Sequence, residues 1–344
     1  MLTIVLDEPG RFRVTDRPEP GAPGAGEALV RVGRVGICGT DLHAYRGRQP
    51  FFSYPRILGH ELGVEVVALG PESAAAGLRE GDRCAVEPYL NCGACQACRR
   101  GRTNCCERLQ VLGVHRDGGM VTYLHVPVHK LHRSEHLPLE HLALVEMLCI
   151  GAHAAGRAEL TPGEPVLVIG AGPIGLATAQ FALVAGAEVT VLEISPARRE
   201  FCRRALGITR IVDGTGLTTA ATGARLRELL GGDLPTVVFD ATGNPQSMMN
   251  AFGLGANGSK LVLVGLVQGE LAFNNPEFHR REMTLLASRN ATATDFRVVI
   301  EALESGRVNI APWITHRAKP STFLDDFPTW LEPERGVVKA MLEL

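Results

Sequence analysis

The sequence predicts an α/β protein of two domains, one mainly β and one built on a doubly wound parallel sheet. Residues 1–147 are rich in Gly and Pro and contain short strand-like runs such as ALVRVGRVGIC and LGVEVVALG, which is typical of a mainly β domain. Residues 166–265 alternate short apolar runs with helical stretches, beginning VLVI, PIGLATAQFALVAG and VTVL. This alternation favours βαβ units around a parallel sheet, and 344 residues suffice for two cores.

The pattern changes near residue 148 and again near residue 286, so we expect segments at 1–147, 148–286 and 287–344. The helical stretch HLALVEMLCIGAHAAGRA links the first two segments, and FRVVIEALESGRV predicts an amphipathic helix in the third. The net charge of −2 and the pI of 6.6 favour neither a nucleic acid nor an anionic membrane as partner.

Targeting signals are not evident in the sequence. The N-terminal MLTIVLDEPGRFRV carries acidic residues and no long apolar core, so we do not expect a signal peptide. No run of about 18 apolar residues exists that would predict a membrane span. Nine cysteines without an export signal fit the reducing cytoplasm.

Four closely spaced cysteines predict a metal site. Cys92, Cys95 and Cys98 are followed by Cys105 and Cys106 in NCGACQACRRGRTNCC. Four thiolates match a closed tetrahedral zinc site, which is structural because no position remains for a substrate. Either Cys105 or Cys106 could be the fourth ligand. Two disulfides are the alternative, but the odd number of cysteines favours the metal.

A glycine-rich turn predicts a dinucleotide site. Gly170, Gly172 and Gly175 form G-x-G-x-x-G around Pro173 and Ile174, after the strand VLVI and before a helix. The first glycine allows the tight turn, the second lets the backbone approach a pyrophosphate, and the third lets helix and strand pack closely. The pyrophosphate would then lie at the helix N-terminus.

The next strand, VTVLE, ends in Glu193, where a carboxylate can hydrogen-bond the ribose hydroxyls of the cofactor. A carboxylate repels a 2′-phosphate, so we expect NAD rather than NADP. Arg198 and Arg199 follow closely and could soften that preference.

A second constellation predicts a catalytic metal. GICGTDLH contains Cys38, Thr40 and His43, GHE contains His60 and Glu61, and Glu146 follows in LVEML. A thiolate, an imidazole and a carboxylate would leave one position open for substrate. Zinc there would lower the pKa of an alcohol oxygen, and Thr40 and His43 could carry the proton to water. Taken singly, Cys38 and His60 fit a protein core better than a metal site, and Glu146 fits better as a solvated or salt-bridged carboxylate. The hypothesis therefore depends on their joint occurrence.

The chain resembles the zinc-dependent medium-chain dehydrogenases over essentially its full length. The resemblance rests on GICGTDLH, LGHE, the CGACQACRRGRTNCC lobe, GVHRDGG, VEML, GAGPIG with Glu193, and DATG. It implies a GroES-like catalytic domain, split between residues 1–147 and 287–344, around a Rossmann domain. It also implies two Zn²⁺ per chain, NAD as cofactor, and a homodimer or homotetramer joined through the edges of the Rossmann sheets.

The same resemblance assigns ligands. Cys92, Cys95, Cys98 and Cys106 would hold the structural zinc, and Cys38, His60 and Glu146 the catalytic one. Glu61 matches a carboxylate that exchanges with water on the metal, and whether Glu61 or Glu146 holds the resting zinc stays open. Cys149 is a less favoured alternative thiolate. A carboxylate as third ligand resembles the polyol and threonine dehydrogenase branch.

Several loops outside these motifs resemble sugar-acid members of that branch, so we expect a small polar, anionic substrate in a cleft between the domains. Arg289 and Asn290 are the first choice for a substrate contact, since guanidinium grips a carboxylate with two hydrogen bonds. His279, Arg280 and Arg281 cluster nearby, and these cations could instead be solvated or contact the cofactor diphosphate. Phe51, Phe52 and Tyr54 line the cleft or belong to the core.

Three classes of function are therefore weighed. A zinc- and NAD-dependent dehydrogenase of a sugar acid or polyol is favoured by the complete ligand set. A nucleotide-binding protein without alcohol chemistry would be expected to lack those ligands. A zinc-ribbon nucleic-acid module is suggested by the arginines around the cysteine lobe, but the acidic balance and the dinucleotide motif oppose it.

Overall fold

The computed structural model describes residues 1–49, 52–73 and 77–344. It divides into two compact units, Met1–Met147 with Ala291–Leu344, and Leu148–Asn290. The second unit ends at Asn290, just after the last strand of its parallel sheet, Thr284–Ala287.

The β-strands and α-helices of the described chain are numbered in sequence order. The strands are β1 (Leu2–Glu8), β2 (Arg11–Asp16), β3 (Glu27–Ile37), β4 (Glu61–Leu69), β5 (Arg83–Val86), β6 (Tyr89–Leu90), β7 (Gln110–Val111), β8 (Tyr123–Pro127), β9 (Leu131–Ser134), β10 (Pro165–Ile169), β11 (Glu188–Glu193), β12 (Ile211–Asp213), β13 (Val237–Asp240), β14 (Lys260–Leu263), β15 (Thr284–Ala287), β16 (Ile314–Ala318) and β17 (Lys339–Glu343). The helices are α1 (Gly39–Tyr45), α2 (Gln96–Arg99), α3 (Leu139–Ala143), α4 (Val145–Ala158), α5 (Pro173–Val184), α6 (Pro196–Leu206), α7 (Thr219–Leu229), α8 (Pro245–Ala251), α9 (Asn275–Arg280), α10 (Ala293–Glu304) and α11 (Phe323–Thr329).

The first unit is built on a seven-stranded sheet in the order β16-β17-β3-β4-β5-β9, with β8 also paired to β3. Strand β3 alternates buried valines with more exposed residues, as expected of a strand with one face on a core. That core also takes in the aromatic side chains Phe323, Phe327 and Trp330 from the C-terminal segment. The segment after residue 290 thus completes the core of the first unit.

The C-terminal end of β3 and the N-terminal ends of β4 and β17 lie side by side at one end of this sheet. Gly36 of β3 pairs with Glu61 of β4, and Ile37 of β3 pairs with Ala340 of β17. Residues that directly follow β3 or begin β4 and β17 are therefore neighbours, although they lie far apart in the sequence. Candidate ligands from GICGTDLH and GHE are brought together in this way.

Helix α3 packs on the same sheet. The predicted helix near residue 150 forms as two, α3 and α4, which are separated by Leu144. Helix α3 comes very close to β4, because a Cβ added to Gly63 would overlap the backbone of Leu139. This close approach sets where α4 begins and therefore where Glu146 lies.

The second unit contains a six-stranded sheet in the order β12-β11-β10-β13-β14-β15, with every pair parallel. The order reverses between β11-β10 and β13, which is the arrangement of a dinucleotide-binding Rossmann sheet. Helix α5 starts directly after β10, with Gly172 as its N-cap residue and Pro173 in its first turn. Ligands of such sheets bind at the carboxyl ends of the strands where the order reverses.

Among the described residues, no helix combines the length and the apolar character that crossing a lipid bilayer requires.

Candidate metal and dinucleotide sites

Cys38, His60 and Glu61 form a compact group at the end of the first sheet where β3 ends and β4 begins. One ligand atom from each lies within 4.8 Å of the other two. Cys38 follows β3 and caps α1, while His60 and Glu61 stand at the start of β4. His60 is 5% exposed and Glu61 fully buried. Thiolate, imidazole and carboxylate are the donors that zinc prefers.

His60 is oriented in the way a metal ligand requires. Its Nδ1 faces Asp41 Oδ1 at 3.9 Å, and among the described residues neither atom has a hydrogen-bond partner. The other oxygen of Asp41 accepts the backbone N–H of Cys38 at 2.9 Å. Because Nδ1 faces the Asp41 carboxylate, Nε2 is the ring nitrogen that remains for a metal. These residues fit a catalytic zinc.

Negative charge surrounds the imidazole. Burial alone would lower the pKa of His60, but the thiolate of Cys38 and the carboxylates of Asp41 and Glu146 outweigh burial and raise that pKa well above its ordinary value. Burial in turn raises the pKa of Asp41. A buried site with this excess of negative charge favours a cation, and a divalent metal supplies one.

Glu146 lies near this group but outside the three-residue cluster. It is buried at the start of α4, and its carboxylate accepts a hydrogen bond from the hydroxyl of Tyr89. Burial raises the pKa of Glu146. The structure thus brings Glu61, the predicted exchange ligand, together with Cys38 and His60, and it holds Glu146 on Tyr89. Cys149 is buried one turn later on the same helix.

Lys339 is a component of the site that the sequence argument missed. Its ammonium group donates to the carboxylate of Glu61 and to the carbonyl of Ile37, and it is buried at the start of β17. Burial lowers the pKa of Lys339, but Glu61 and Cys38 outweigh burial and raise it. The available signal was a cation at the start of β17, directly before the apolar run Ala340–Leu342.

Thr40 and His43 both lie on α1, three residues apart and therefore on one face. Thr40 is half-buried and His43 is exposed. Phe52 and Tyr54 pack against the core of the first unit, and the Tyr54 hydroxyl donates to the carbonyl of Ala44 at 2.5 Å. Phe51 lies outside the described residues.

The four-cysteine lobe gathers Cys92, Cys95, Cys98 and Cys106, whose sulfur atoms lie within 4.8 Å of one another. Cys105, the other candidate for the fourth ligand, is exposed and outside the group. All nine cysteines, each within the described ranges, are free thiols. The sulfurs of Cys92 and Cys106 accept backbone N–H bonds at 3.2–3.4 Å, the usual support for metal-binding thiolates. The lobe fits a structural zinc.

The lobe favours ionised sulfur at its first cysteine. Backbone N–H groups of Ala94 and Cys95 lower the pKa of Cys92 to about 5. Burial raises the pKa of Cys98 to about 11. The thiolate of Cys92 raises the pKa of the nearby Arg108 guanidinium. A metal binds the thiolate and not the thiol, so the backbone N–H groups around Cys92 favour the form of this side chain that a metal binds.

The glycine-rich turn has the shape that a pyrophosphate needs. A Cβ on Gly175 would overlap the carbonyl oxygen of Gly170, so helix α5 can pack onto β10 only with glycine there. A Cβ on Gly172 would have open space and only Arg198 Nη1, at 3.8 Å, nearby. Together with the start of α5 at Pro173, followed by Ile174, this leaves the helix N-terminus accessible to an anion.

Glu193 ends β11 beside this turn and is held there. Its two oxygens accept the backbone N–H groups of Ala171 at 2.6 Å and Ser195 at 2.7 Å. Arg199 binds Asp213 at 2.7 Å and the carbonyls of residues 193 and 194, so it is engaged away from the turn. Arg198 is exposed.

Arg289 and Asn290 close the second unit after β15. Arg289 is exposed, and Asn290 adopts a left-handed backbone conformation with φ of 52°. Arg280 pairs with Glu277 at 2.9 Å, and Arg281 donates to the carbonyl of Gly255 at 3.1 Å. His279 is exposed on α9. Arg280 and Arg281 thus have structural partners within their own unit.

A β-rich unit with two groups of metal-binding side chains, continuous with a parallel-sheet unit of dinucleotide-binding type, is the architecture of a nicotinamide-dependent dehydrogenase. Residues 24–136 match the family described as alcohol dehydrogenase GroES-like domain, and residues 173–305 match the family described as zinc-binding dehydrogenase. The chain belongs to the zinc-binding alcohol dehydrogenase family.

Known proteins are similar to this chain in sequence and in structure over nearly its whole length. L-galactonate-5-dehydrogenase of Escherichia coli strain K12 is 43% identical over 342 residues, which are 99% of this chain and 98% of that protein. The NADH complex of the alcohol dehydrogenase RspB from Escherichia coli CFT073 superposes with a TM-score of 0.91 at 31% identity, covering 100% of this chain and 99% of that one. Galactitol-1-phosphate dehydrogenase from Escherichia coli superposes with a TM-score of 0.91 at 26% identity, and the match covers 100% of both chains.

This protein is accordingly an oxidoreductase of alcohols or polyols that uses zinc and a nicotinamide dinucleotide. The predicted family, fold class, enzyme class and cofactors are confirmed, with a GroES-like domain and a Rossmann-like domain. The names of its relatives include a sugar acid, L-galactonate, and a polyol phosphate, galactitol 1-phosphate.

Proposed function

We propose that this chain is an L-galactonate 5-dehydrogenase or acts on a closely similar sugar acid, oxidising a secondary hydroxyl to a ketone with NAD⁺. The observation that supports this most is the 43% identity to L-galactonate-5-dehydrogenase over 99% of the chain. The buried group of Cys38, His60 and Glu61, with Glu146 nearby, supports the chemistry.

Cys38, His60 and Glu146 would hold the catalytic zinc, with Glu61 as a ligand that exchanges when Lys339 releases it. When bound, zinc lowers the pKa of the substrate hydroxyl, and NAD⁺ accepts the hydride. The hydride leaves the carbinol carbon with both electrons of its C–H bond, the hydroxyl loses its proton, and the C–O bond becomes a carbonyl.

That proton needs a path from a buried site to water. Thr40 and His43 lie on one face of α1, and exposure increases from the first to the second. A hydroxyl can accept and donate a proton at once, and an imidazole takes up a proton near neutral pH. We therefore assign Thr40 as the relay and His43 as the outlet to solvent.

The cofactor preference is for NAD. Both oxygens of Glu193 are held by backbone N–H groups, so this carboxylate cannot turn aside easily for a 2′-phosphate. Each oxygen keeps a lone pair for a ribose hydroxyl. Arg199 is committed to Asp213, which leaves Arg198 as the nearest exposed cation. Gly170, Gly172 and Gly175 would receive the pyrophosphate.

Arg289 and Asn290 are proposed to bind the substrate carboxylate. Arg289 is exposed where the chain leaves the second unit, and Asn290 follows it directly. A guanidinium group binds a carboxylate through two parallel hydrogen bonds.

Assembly and location complete the proposal. Strand β15 ends the parallel sheet and leaves one edge unpaired within the described chain, and Leu285 on it is 40% exposed. We propose a homodimer or homotetramer in which two such edges pair. Thiolate ligands persist in a reducing compartment, so a cytoplasmic location fits the nine free cysteines.

The experiment is NAD⁺ reduction, followed by NADH absorbance, with L-galactonate, L-gulonate, L-idonate, sorbitol, galactitol 1-phosphate and L-threonine. We expect turnover on L-galactonate that Cys38→Ala abolishes. Arg289→Ala should raise KM for L-galactonate by about 10-fold or more, and Arg289→Lys should recover only part of this. Turnover on neutral polyols alone would remove Arg289 from the proposed role. NADH binding without turnover on any substrate would favour a nucleotide-binding protein without alcohol chemistry.

A further inference from the structure

A buried charged cluster that the reaction does not use lies at the end of β5. Glu87 is 1% exposed and Lys130 is 3% exposed. The Lys130 ammonium donates to one oxygen of Glu87, and His132 Nε2 lies 3.1 Å from the other oxygen. Burying two opposite charges costs about as much desolvation as their attraction returns. Stability alone therefore gives no reason for this cluster.

The cluster extends to the four-cysteine lobe through Asn91. Lys130 Nζ donates to Asn91 Oδ1 at 2.9 Å. Asn91 Nδ2 in turn donates to Cys98 Sγ at 3.7 Å. Asn91 directly precedes Cys92, so one amide side chain connects a buried ion pair to a candidate metal-binding sulfur.

The ion pair determines which way that amide faces. An amide offers an acceptor on one side and donors on the other. With the oxygen on the Lys130 ammonium, the N–H group points at the sulfur of Cys98. The reversed amide would set N–H against ammonium and oxygen against thiolate, and both contacts are repulsive. The cation also polarises the amide and strengthens its N–H as a donor.

The sheet in turn fixes the ion pair. Strands β5 and β9 pair through Val86 and Leu131, and the N–H of Glu87 donates to the carbonyl of Lys130 at 2.8 Å. Both charged residues therefore stand at set positions beyond the last paired residues of these strands. The sheet backbone thus sets the position of Lys130, Lys130 orients the Asn91 amide, and that amide contacts the sulfur of Cys98.

We propose that Asn91, oriented by Lys130 and Glu87, is a positioning residue for the structural metal site. It holds Cys98 Sγ in place for the metal, donates to its negative charge and slows release of the metal. The inference depends on the proposed four-cysteine zinc site. Hydrogen bonds to metal ligands commonly change metal affinity about 10- to 100-fold.

The test is metal release from full-length protein. Cobalt(II) replaces zinc, and its visible spectrum distinguishes a site of four sulfurs from the mixed site of Cys38 and His60. Loss of that spectrum to excess chelator gives a release rate. We expect Asn91→Leu, which keeps the size and removes both hydrogen bonds, to release cobalt about 10- to 100-fold faster than the wild type. Lys130→Met should act in the same direction.

Two controls separate positioning from general instability. Glu87→Gln/Lys130→Met removes both charges, so no unpaired charge remains, and it should still release cobalt faster. Wild-type release from this double variant would overturn the orienting role of the ion pair. Ser134→Ala changes the last residue of β9, the strand that follows Lys130, and removes its hydrogen bond to Glu304. This variant should release cobalt at the wild-type rate.

The outcomes for the wild type and the variants are distinct. A wild type without the four-sulfur spectrum would overturn the metal site itself. A wild type with that spectrum, and with Asn91→Leu releasing cobalt at the same rate, would overturn only the role of Asn91. Asn91→Ser keeps a small donor without the amide geometry, and it replaces Asn91→Leu if that variant does not fold. Asn91→Ser should then release cobalt faster than the wild type.

Discussion

At the scale of single residues, the site depends on side chains whose partners are distant in sequence. Lys339 and Glu61 are separated by 278 positions and are buried together at the sheet edge. Removing one member of such a pair leaves a buried charge without compensation, which costs about 3–5 kcal/mol. The pair therefore matters for stability as well as for the availability of Glu61 to a metal.

We predict that Lys339→Met lowers the free energy of unfolding by about 3–5 kcal/mol, because Glu61 would remain buried without its cation. Urea unfolding monitored by circular dichroism measures this. Lys339→Met/Glu61→Gln removes both charges and should regain most of the loss. Equal stability of Lys339→Met and the wild type would mean that Glu61 finds another partner.

The motif residues of the site could be predicted from sequence, whereas their supporting residues could not. Cys38, His60 and Glu61 stand in short motifs with recognisable chemistry. Asp41 appears in the same motif, but its role follows only from its 3.9 Å separation from His60. Tyr89, which bonds Glu146, and Lys339 carry no motif at all. Ordinary residues acquire a function only when folding sets them beside a ligand.

At the scale of elements, the junction of β10 and α5 depends on glycine. We predict that Gly175→Ala weakens NADH binding and lowers stability, because the new methyl group would overlap the carbonyl of Gly170 and push the helix away from the strand. NADH fluorescence titration and thermal unfolding measure the two effects. Gly223→Ala, at a position on α7 where a Cβ meets no atom within 4 Å, is the matched control and should bind NADH normally.

The ion pair of Glu87 and Lys130, where β5 and β9 pair, predicts that the free energy of unfolding depends on pH. Burial alone would raise the pKa of Glu87, but His132 and Lys130 outweigh burial and lower it. The unfolded chain therefore binds more protons than the folded chain between the two pKa values. The stability that Glu87 contributes is fully present above its unfolded pKa of about 4.3, and it is lost as pH falls through the lower folded pKa.

We therefore expect Glu87→Gln to show a flatter decline of unfolding free energy than the wild type as pH falls below about 4.3. Urea unfolding at a series of pH values gives both slopes. Above that pH the two slopes should agree. Parallel slopes throughout the acid range would show that Glu87 titrates alike in the folded and unfolded chains.

At the scale of the whole molecule, the proposed assembly depends on the unpaired edge of β15. An exposed edge of backbone N–H and C=O groups is a template for pairing with another strand. We predict that Leu285→Glu converts the oligomer to a monomer, since like charges would meet across paired edges. Light scattering after size exclusion measures the mass. Val298→Glu, an exposed apolar position on α10 of the other unit, should leave the mass unchanged.

The sequence by itself determined the family, the fold class, the cofactors, and the identity of the motif cysteines, glycines and carboxylates, because these depend on local spacing and residue chemistry. Only the tertiary structure decided which carboxylate stands with Cys38 and His60, that Lys339 holds it, and that Asn91 connects a buried ion pair to Cys98. The physical reason is that the pairing of β3, β4, β5, β9 and β17 joins residues as distant in sequence as Ile37 and Lys339, which are separated by 302 positions. No local pattern records the partner of a side chain across such a sheet.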